Sequence, residues 1–526
     1  MISLSQLKKS VSDALAYLRT IDDIEEGEVF ASSNGQLLTR LNYTSHIPCN
    51  GVEESKSTES FGIGIQAVLK TPEGRKIGFG SESSDISLEG VKEALAKARI
   101  GAVLDPEFQS LARPTSAGGG PASGGGEKRT LRRYHDPQLM RMADGDLVGA
   151  GWQVMEGALR TFQGSEALSE LVGSGSLRDL GLIVGGDVTI LQERIAVASY
   201  AMPQPQTDES ALILSFITAM VEREGSKGSG YGAATRLADF GDGAGRQAAR
   251  NAIDSIGGVR VKTGEYRVVF GQQAVMDLMV NLVMPSLNLG TFYAGASSFL
   301  GKLGQRVAAE MLSIYDDGAA PGLAGSKGIT CEGLPTGRTD LIVNGTLKGL
   351  LANYYESQRI LIDPRAKEKL GVDPSEQRAA FVPRNGFRFT SGGGRHYGSQ
   401  PGIFATNVIV QGNDRSREEL LRDVGDGLYL GRIWYTYPVN GLRAGDFTCT
   451  VVGDSYVIRD GRLAEPIRAN SIRLNDSIHN VLRGVIGVGR ERHPTLVWAA
   501  DEIVYAPDVA VAKVRVEEIA GYMETI

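Results

Sequence analysis

The chain has 526 residues, which is enough for two or more domains of ordinary size and excludes a single small module. Hydrophobic residues make up 42% and charged residues 22% of it, a balance that excludes a disordered or fibrous protein. The 62 acidic side chains outnumber the 55 Lys and Arg, and this net charge of −7 argues against direct binding of nucleic acid. Three widely separated Cys and the lack of an apolar leader or membrane-spanning run favour a cytoplasmic protein.

The N-terminal half alternates helices with strands in an order typical of an α+β unit. Apolar residues recur every three or four positions over 1–20, which predicts an amphipathic helix. Asn34-Gly35 separates two strand-like runs and predicts a hairpin, because both residue types tolerate positive φ. The run GSGYG at 228–232 is interpreted as a loop. The other predicted elements are strands at 60–70 and 76–80, a helix capped by Ser87, a helix at 146–162, strands at 182–200 and 211–222, and a helix within 241–255.

The second half is richer in strands and glycine turns. Residues 115–126 read TSAGGGPASGGG and predict a flexible linker or exposed loop, since they bury too little apolar surface to fold. A helix is predicted at 272–284, and Asn344-Gly345 and Asp460-Gly461 predict tight turns between strands. We therefore predict an α+β protein with an N-terminal α/β domain over 1–256 and a β-rich C-terminal domain of antiparallel sheets over 264–526.

Short motifs of known chemistry are missing from the chain. It contains neither H-E-x-x-H nor C-x-x-C, so a compact zinc site is not predicted. The five His are scattered and lack helical spacing, although a site assembled from distant residues stays open. The glycine-rich turns at 384–386 and 391–397 are either plain hairpin tips or turns that bind peptide backbone or carboxylate groups.

Several longer blocks resemble one known family. The run GTFYAGASSFLG at 290–301 is followed by LGQRV at 303–307, IYDDG at 314–318 and NGTLKG at 344–349. In order and spacing these blocks resemble the TldD/PmbA family, also called modulators of DNA gyrase, and the resemblance covers nearly the whole chain. It implies a two-domain fold and a cytoplasmic two-subunit zinc protease that acts on unfolded or short peptides. In that family a TldD-like subunit carries H-E-x-x-x-H on a helix and a distant Cys ligand, whereas a PmbA-like subunit, also called TldE, lacks the metal site.

The chain departs from the catalytic pattern of the family. Met276 and Asn281 stand where the two zinc-binding His would be, and Asp277 stands where the general-base Glu would be. No His occurs between residues 264 and 360, and no Cys follows Cys449 to serve as the third ligand. The resemblance therefore implies a metal-free, PmbA/TldE-like subunit with no cofactor of its own. Zinc is expected only in a catalytic partner.

The expected partners are a TldD-like zinc subunit or a second copy of this chain, together with a peptide substrate. Five residues are suggested for a peptide groove, because they lie in turns rich in hydrogen-bond donors or in the blocks that resemble the family. They are Tyr293, Ser297, Ser298, Arg395 and His396. Two alternatives stay open. The first is an active metallopeptidase with non-standard ligands, drawn from His396, His479, His493 and nearby carboxylates. The second is a homomeric protein that binds peptides without cleaving them.

Overall fold

The computed structural model describes residues 1–47, 50–53, 55–114, 129–390, 394–495 and 503–520, so the linker predicted at 115–126 lies outside the described residues. In chain order the first elements are α1 (Leu4–Leu18), β1 (Ile24–Thr44), β2 (Gly51–Val52), β3 (Lys56–Thr71), β4 (Gly74–Ser83), α2 (Leu88–Ile100), β5 (Val103–Leu104), α3 (Asp144–Gln163), α4 (Glu166–Val172), β6 (Leu182–Ser199), β7 (Gln206–Val221), β8 (Ser226–Ala234) and α5 (Gly243–Asp254).

The remaining elements begin at residue 264, after the predicted division near 256–264. They are β9 (Gly264–Phe270), α6 (Gln272–Leu278), α7 (Met284–Ser286), α8 (Leu289–Tyr293), β10 (Ile314–Asp317), β11 (Arg338–Val343), β12 (Thr346–Leu347), α9 (Tyr354–Ile362), α10 (Ala366–Leu370), β13 (Gly386–Phe387), β14 (Phe389–Thr390), β15 (Gly394–Arg395), β16 (Gly402–Ile403), β17 (Asn407–Val410), α11 (Arg417–Val424), β18 (Gly427–Pro438), β19 (Asp446–Arg459), β20 (Arg462–Pro466), β21 (Ile472–Ser477), α12 (Ile478–Arg483), β22 (Val485–Val488), β23 (His493–Thr495), β24 (Ile503–Ala506) and β25 (Val509–Glu518).

The N-terminal domain is built on an antiparallel sheet with the strand order β5-β4-β3-β1-β6-β7-β8, and the short β2 pairs with β1. Successive side chains of a strand point to opposite faces, so each face has its own core. Val29 and Ala31 of β1 pack in a core with α1 and α2, whereas Phe30 packs with Ile329 and Phe387 of the C-terminal domain. The sheet therefore lies between a layer of helices and the C-terminal domain.

The hairpin predicted at Asn34-Gly35 is wrong. Strand β1 continues through both residues, and Asn34 pairs with Ser60 of β3 and with Glu193 of β6. Pairing on both sides of the strand outweighs the local preference for a turn. The glycine instead permits a close approach, because a Cβ atom at Gly35 would lie 2.6 Å from Gln192 Oε1.

Two other predicted turns are confirmed. Asn344 and Gly345 have φ values of 46° and 74° between β11 and β12. Asp460 and Gly461 have φ values of 48° and 72° between β19 and β20. Such turns need positive φ at both central residues, which is why these residue types predict them.

The C-terminal domain contains two main sheets in the described part of the chain. One has the order β12-β11-β10-β17-β24-β23. In the other, β18, β9, β25, β21 and β19 pair in succession, and the additional pairing of β18 with β19 closes the ring into a small barrel. Most pairings are antiparallel, while β9 with β18 and β17 with β24 are parallel. Together with the helix-covered N-terminal sheet, this confirms the α+β class.

The helix predicted over 272–284 is confirmed and contains an irregularity. It starts as α6, passes through a π-helical segment over Met279–Val283 and ends as α7. π-Helical turns are uncommon and occur frequently at functional sites, so this helix is a candidate element of one. Among the described residues, no helix combines the length and the apolar character needed to span a membrane.

Candidate functional site

A polar cleft separates the two domains beside the start of α6. It consists of two adjoining cavities of about 460 Å³ and 670 Å³. Helix α5 and strand β8 form its N-terminal wall, and α6, α11, β18, β19 and β23 contribute to the other side. The residues shared by the two cavities are Tyr231, Gln247, Gln272, Arg417 and Thr495. Clefts of this size at domain interfaces are common ligand sites.

The Arg432 guanidinium lies near the carboxylates of Asp277 and Asp454, and Asp454 lines the smaller cavity of the cleft. Arg432 of β18 is 8% exposed and donates a hydrogen bond to the Ser229 hydroxyl of β8, so it reaches across the domain interface. Burial raises the pKa of Asp277 to about 6 and that of Asp454 to about 7, and the positive charge of Arg432 opposes both increases. When both carboxylates are ionised they carry two negative charges, and the single Arg432 guanidinium neutralises one of them.

Both carboxylates are incompletely hydrogen-bonded. Asp277 Oδ2 and Asp454 Oδ1 are buried and have no hydrogen-bond partner among the described residues. Asp454 is 8% exposed and lines the smaller cavity, while Asp277 projects from α6. A buried polar atom without a partner costs free energy. Each oxygen could accept a hydrogen bond from a ligand or a water molecule, or it could be protonated.

Aromatic side chains line the same cavity. Tyr231, Tyr429 and Tyr456 all contribute to it, and burial raises the pKa of each phenol above its usual value. These hydroxyl groups are therefore neutral near pH 7. Arg417 forms an ion pair with Asp508 at 2.5 Å and lies 5.3 Å from the ring centroid of Tyr429.

The residues at the degenerate motif positions do not fit a zinc ion. Met276 is 4% exposed and packs in the large C-terminal core. Asn281 is exposed, and its Nδ2 donates a 2.9 Å hydrogen bond to the backbone oxygen of Asp277. In the described ranges no three His, Cys, Asp or Glu side chains come together in a way that could hold a metal. Asp277 would thus stand as a single carboxylate without companion ligands.

Three predicted groove residues lie outside the cleft. Tyr293 donates a hydrogen bond to Glu107 of the N-terminal domain, and the Arg359 guanidinium lies 3.5 Å from its ring centroid. Ser297 and Ser298 are buried, and their hydroxyls donate to the backbone oxygen and to the Oγ of Ser286, at 2.6 Å and 2.8 Å. These serines stabilise the end of α7.

Arg395 and His396 lie at a different part of the domain interface. Arg395 is fully buried and forms 2.9 Å ion pairs with Glu193 and Asp208 of the N-terminal sheet. Burial of His396 lowers its pKa, and its Nδ1 accepts a hydrogen bond from the amide of Gly398. Neither residue is among the described residues that line the cleft. Part of the neighbouring glycine-rich turn, 391–393, lies outside the described residues.

The other candidate histidines are dispersed. His479 packs edge-on against Phe299, with ring centroids 5.6 Å apart. His493 lines the larger cavity of the cleft, at the start of β23. Within the described part of the chain, the structure does not assemble these residues with His396 into a metal-binding group.

Sequence reasoning missed the residues of the cleft. The run GSGYG, interpreted as a loop, is part of strand β8, and its Tyr231 lines both cavities. The glycines of this strand allow α5 to pack closely against it. A Cβ atom at Gly230 would lie 1.9 Å from the backbone oxygen of Ala244 in α5. In the sequence, the alternation of glycines could have indicated a strand that packs against a helix. The run was interpreted as a loop because loops are also rich in glycine.

Two family models match the chain. Residues 50–102 match domain 1 of the PmbA/TldA metallopeptidases, and residues 263–518 match their C-terminal domain. A protein from Methanothermobacter thermautotrophicus, named as a metalloprotease, is 29% identical over 197 residues, which cover 38% of this chain and 37% of the relative. A metalloprotease from Synechocystis is 26% identical over 183 residues, covering 35% of this chain and 33% of the relative. The matched segments thus span well under half of these relatives.

Solved structures resemble the chain over nearly its whole length. TldE from Thermococcus kodakarensis has a TM-score of 0.74 at 15% identity and covers 97% of this chain and 100% of its own. A putative modulator of DNA gyrase from Bacteroides thetaiotaomicron has a TM-score of 0.72 at 14% identity, covering 99% and 100%. At these identities the likeness shows the fold. Because the two domain models match in chain order and the whole fold is shared, the chain belongs to the PmbA/TldD metallopeptidase family.

Proposed function

We propose that the chain is a metal-free, peptide-holding subunit of a PmbA/TldD-type protease assembly, and that a zinc-bearing partner performs the cleavage. The observation that carries this proposal is the set of side chains on the helix that runs from α6 into the π-helical segment. The side chains at its motif positions are a buried thioether, a single carboxylate and an exposed amide, which do not converge on one point. A catalytic zinc site needs three converging protein ligands and an open position.

The edges of two sheets support the peptide-holding role. Strands β8 and β23 each have one neighbouring strand in the part of the chain that is described, and residues of both line the cleft. An edge strand presents backbone donors and acceptors to which an extended peptide can add as a further strand. Binding through the backbone would suit unfolded peptides of varied sequence.

Reconstitution with a partner tests the proposal. The chain is co-expressed with a TldD-like protein that carries H-E-x-x-x-H, and the mixture is analysed by size-exclusion chromatography, metal mass spectrometry and peptide hydrolysis. We expect co-elution, zinc in the partner alone, and hydrolysis that requires the partner. The control is a partner whose motif Glu is replaced by Gln, which should still co-elute but should not cleave.

The same measurements separate the alternatives. An active metallopeptidase with non-standard ligands would bind stoichiometric metal and cleave peptides by itself. A homomeric peptide-binding protein would bind peptide but elute without the partner. Either result would contradict the proposed role.

A further inference from the structure

We propose that the interdomain cleft binds a primary ammonium group of its peptide, with the Asp454 carboxylate as the main acceptor. The ammonium is either the α-amino group of a free N-terminus or a lysine side chain, which share the same chemistry. This inference rests on the proposed peptide-holding function and specifies which group the cleft recognises.

The first argument is one carboxylate oxygen of Asp454 that lacks a partner. Asp454 lines the smaller cavity, is more than nine-tenths buried, and its Oδ1 has no hydrogen-bond partner within the described ranges. An ammonium group carries three donors and no acceptor, so it supplies what this oxygen lacks. A charged donor also forms stronger hydrogen bonds to a carboxylate than a neutral donor does.

The second argument is how the charged groups around the smaller cavity are already engaged. The guanidinium groups are those of Arg250, Arg417 and Arg432. Against them stand the carboxylates of Asp254, Asp277, Asp454 and Asp508. Arg417 already forms an ion pair with Asp508, and Arg432 donates a hydrogen bond to the Ser229 hydroxyl. A cationic group entering the cavity would give the buried Asp454 carboxylate a direct charged partner.

The third argument is the aromatic lining. The rings of Tyr429 and Tyr456 have centroids 6.3 Å apart, and Tyr231 lines the same cavity. The face of a tyrosine ring attracts cations, and its neutral hydroxyl can accept a hydrogen bond from an ammonium. A carboxylate surrounded by tyrosines favours a cation over a neutral amide.

Binding of three short peptides to the full chain tests the inference. All are alanine-based pentapeptides with an amidated C-terminus. The first has a free α-amino group and no lysine, the second is N-acetylated with one central lysine, and the third is N-acetylated without lysine. We expect at least one ammonium-bearing peptide to bind about tenfold more tightly than the fully capped peptide in titration calorimetry.

Two variants of the chain test whether the Asp454 carboxylate is the acceptor of the ammonium group. Asp454→Asn keeps the shape of the side chain and should abolish the preference for the ammonium-bearing peptide. Asp460→Asn changes the same charge at the exposed turn after β19 and should preserve the preference. A measurement on the unmodified protein guards against misfolding of the variant: methylammonium chloride should compete with the ammonium-bearing peptide more strongly than sodium chloride at equal ionic strength.

The first two peptides distinguish the sources of the ammonium, since tighter binding of one identifies an N-terminus or a lysine. Equal affinity for all three peptides, absence of binding, or a preference that survives Asp454→Asn would overturn the inference. The proposed subunit role is judged separately by co-elution with the zinc-bearing partner, so the two can fail independently.

Discussion

The Arg388 guanidinium lies 2.7 Å from the Glu28 carboxylate, and both side chains are almost completely buried between the N-terminal sheet and the C-terminal domain. Arg388 also donates to the backbone oxygen of Ser399 and lies 5.1 Å from the ring centroid of Phe30. A buried ion pair is costly to form, but breaking it leaves an uncompensated charge. The pair therefore fixes how the two domains fit together.

Removing the guanidinium should destabilise the protein strongly. Arg388→Met leaves Glu28 buried without its partner, and we expect a loss of about 3–5 kcal/mol in the free energy of unfolding. Urea denaturation followed by circular dichroism measures the loss. The control is Asp13→Asn, which breaks an exposed ion pair with Lys9 and should leave the unfolding midpoint unchanged. A similar midpoint for both variants would contradict this interpretation.

The free energy of unfolding should fall as the pH rises from about 5 to 8. Burial raises the pKa of Glu332 to about 8, and both carboxylate oxygens lie 3.1 Å from the amide nitrogen of Tyr354. Between the unfolded and folded pKa values the native state holds a proton that the unfolded state has lost. Stability therefore decreases with pH, by up to about 1.4 kcal/mol per unit for one proton. Asp277, Asp316 and Asp454 contribute in the same direction.

Glu332→Gln should reduce this slope, because the amide does not titrate. Urea unfolding at pH 5, 6, 7 and 8 compares the variant with the unmodified protein. Glu310→Gln, at an exposed position, serves as the control and should keep the original slope. An unchanged slope in Glu332→Gln would show that this carboxyl does not titrate as expected.

Restoring the two motif histidines should not create a zinc site. In Met276→His/Asn281→His, one imidazole would lie in the core and the other at the surface. We expect less than stoichiometric zinc by mass spectrometry after dialysis, and a stability loss of about 1–3 kcal/mol from the buried polar ring. Met276→Leu keeps the packing and should stay close to the original stability. One tightly held zinc per chain in the double variant would contradict the conclusion that these positions do not fit a zinc ion.

Two glycines of the cleft wall should respond differently to alanine. In Gly230→Ala the new Cβ would lie 1.9 Å from the backbone oxygen of Ala244, so α5 must shift away from β8 at a cost of about 1–3 kcal/mol. Gly243→Ala, at the start of α5, meets no described atom within 4 Å and should be neutral or slightly stabilising. Thermal melting compares the two, and an equal effect would contradict the close packing of α5 on β8.

An element could be predicted from the sequence when the residues of its own segment determine its conformation. The turns at Asn344-Gly345 and Asp460-Gly461 follow from the backbone freedom of the residues themselves, and the sequence predicts them. Asn34-Gly35 has the same local preference, but pairing with β3 and β6 decides its conformation. The changed motif on the helix that starts as α6 is visible in the sequence. The cleft is not, because Tyr231, Arg417 and Asp454, which line it, are far apart along the chain.

In the barrel of the C-terminal domain the first strand, β9, pairs with the last strand, β25. During synthesis, β9 and α6 leave the ribosome long before β25 exists, and the apolar face of α6 then has no finished barrel to pack on. Closure of so long a loop is slow and cannot begin until residues 509–518 are translated. Nascent chains of this protein are thus expected to depend on chaperones for most of the time needed to make the second domain.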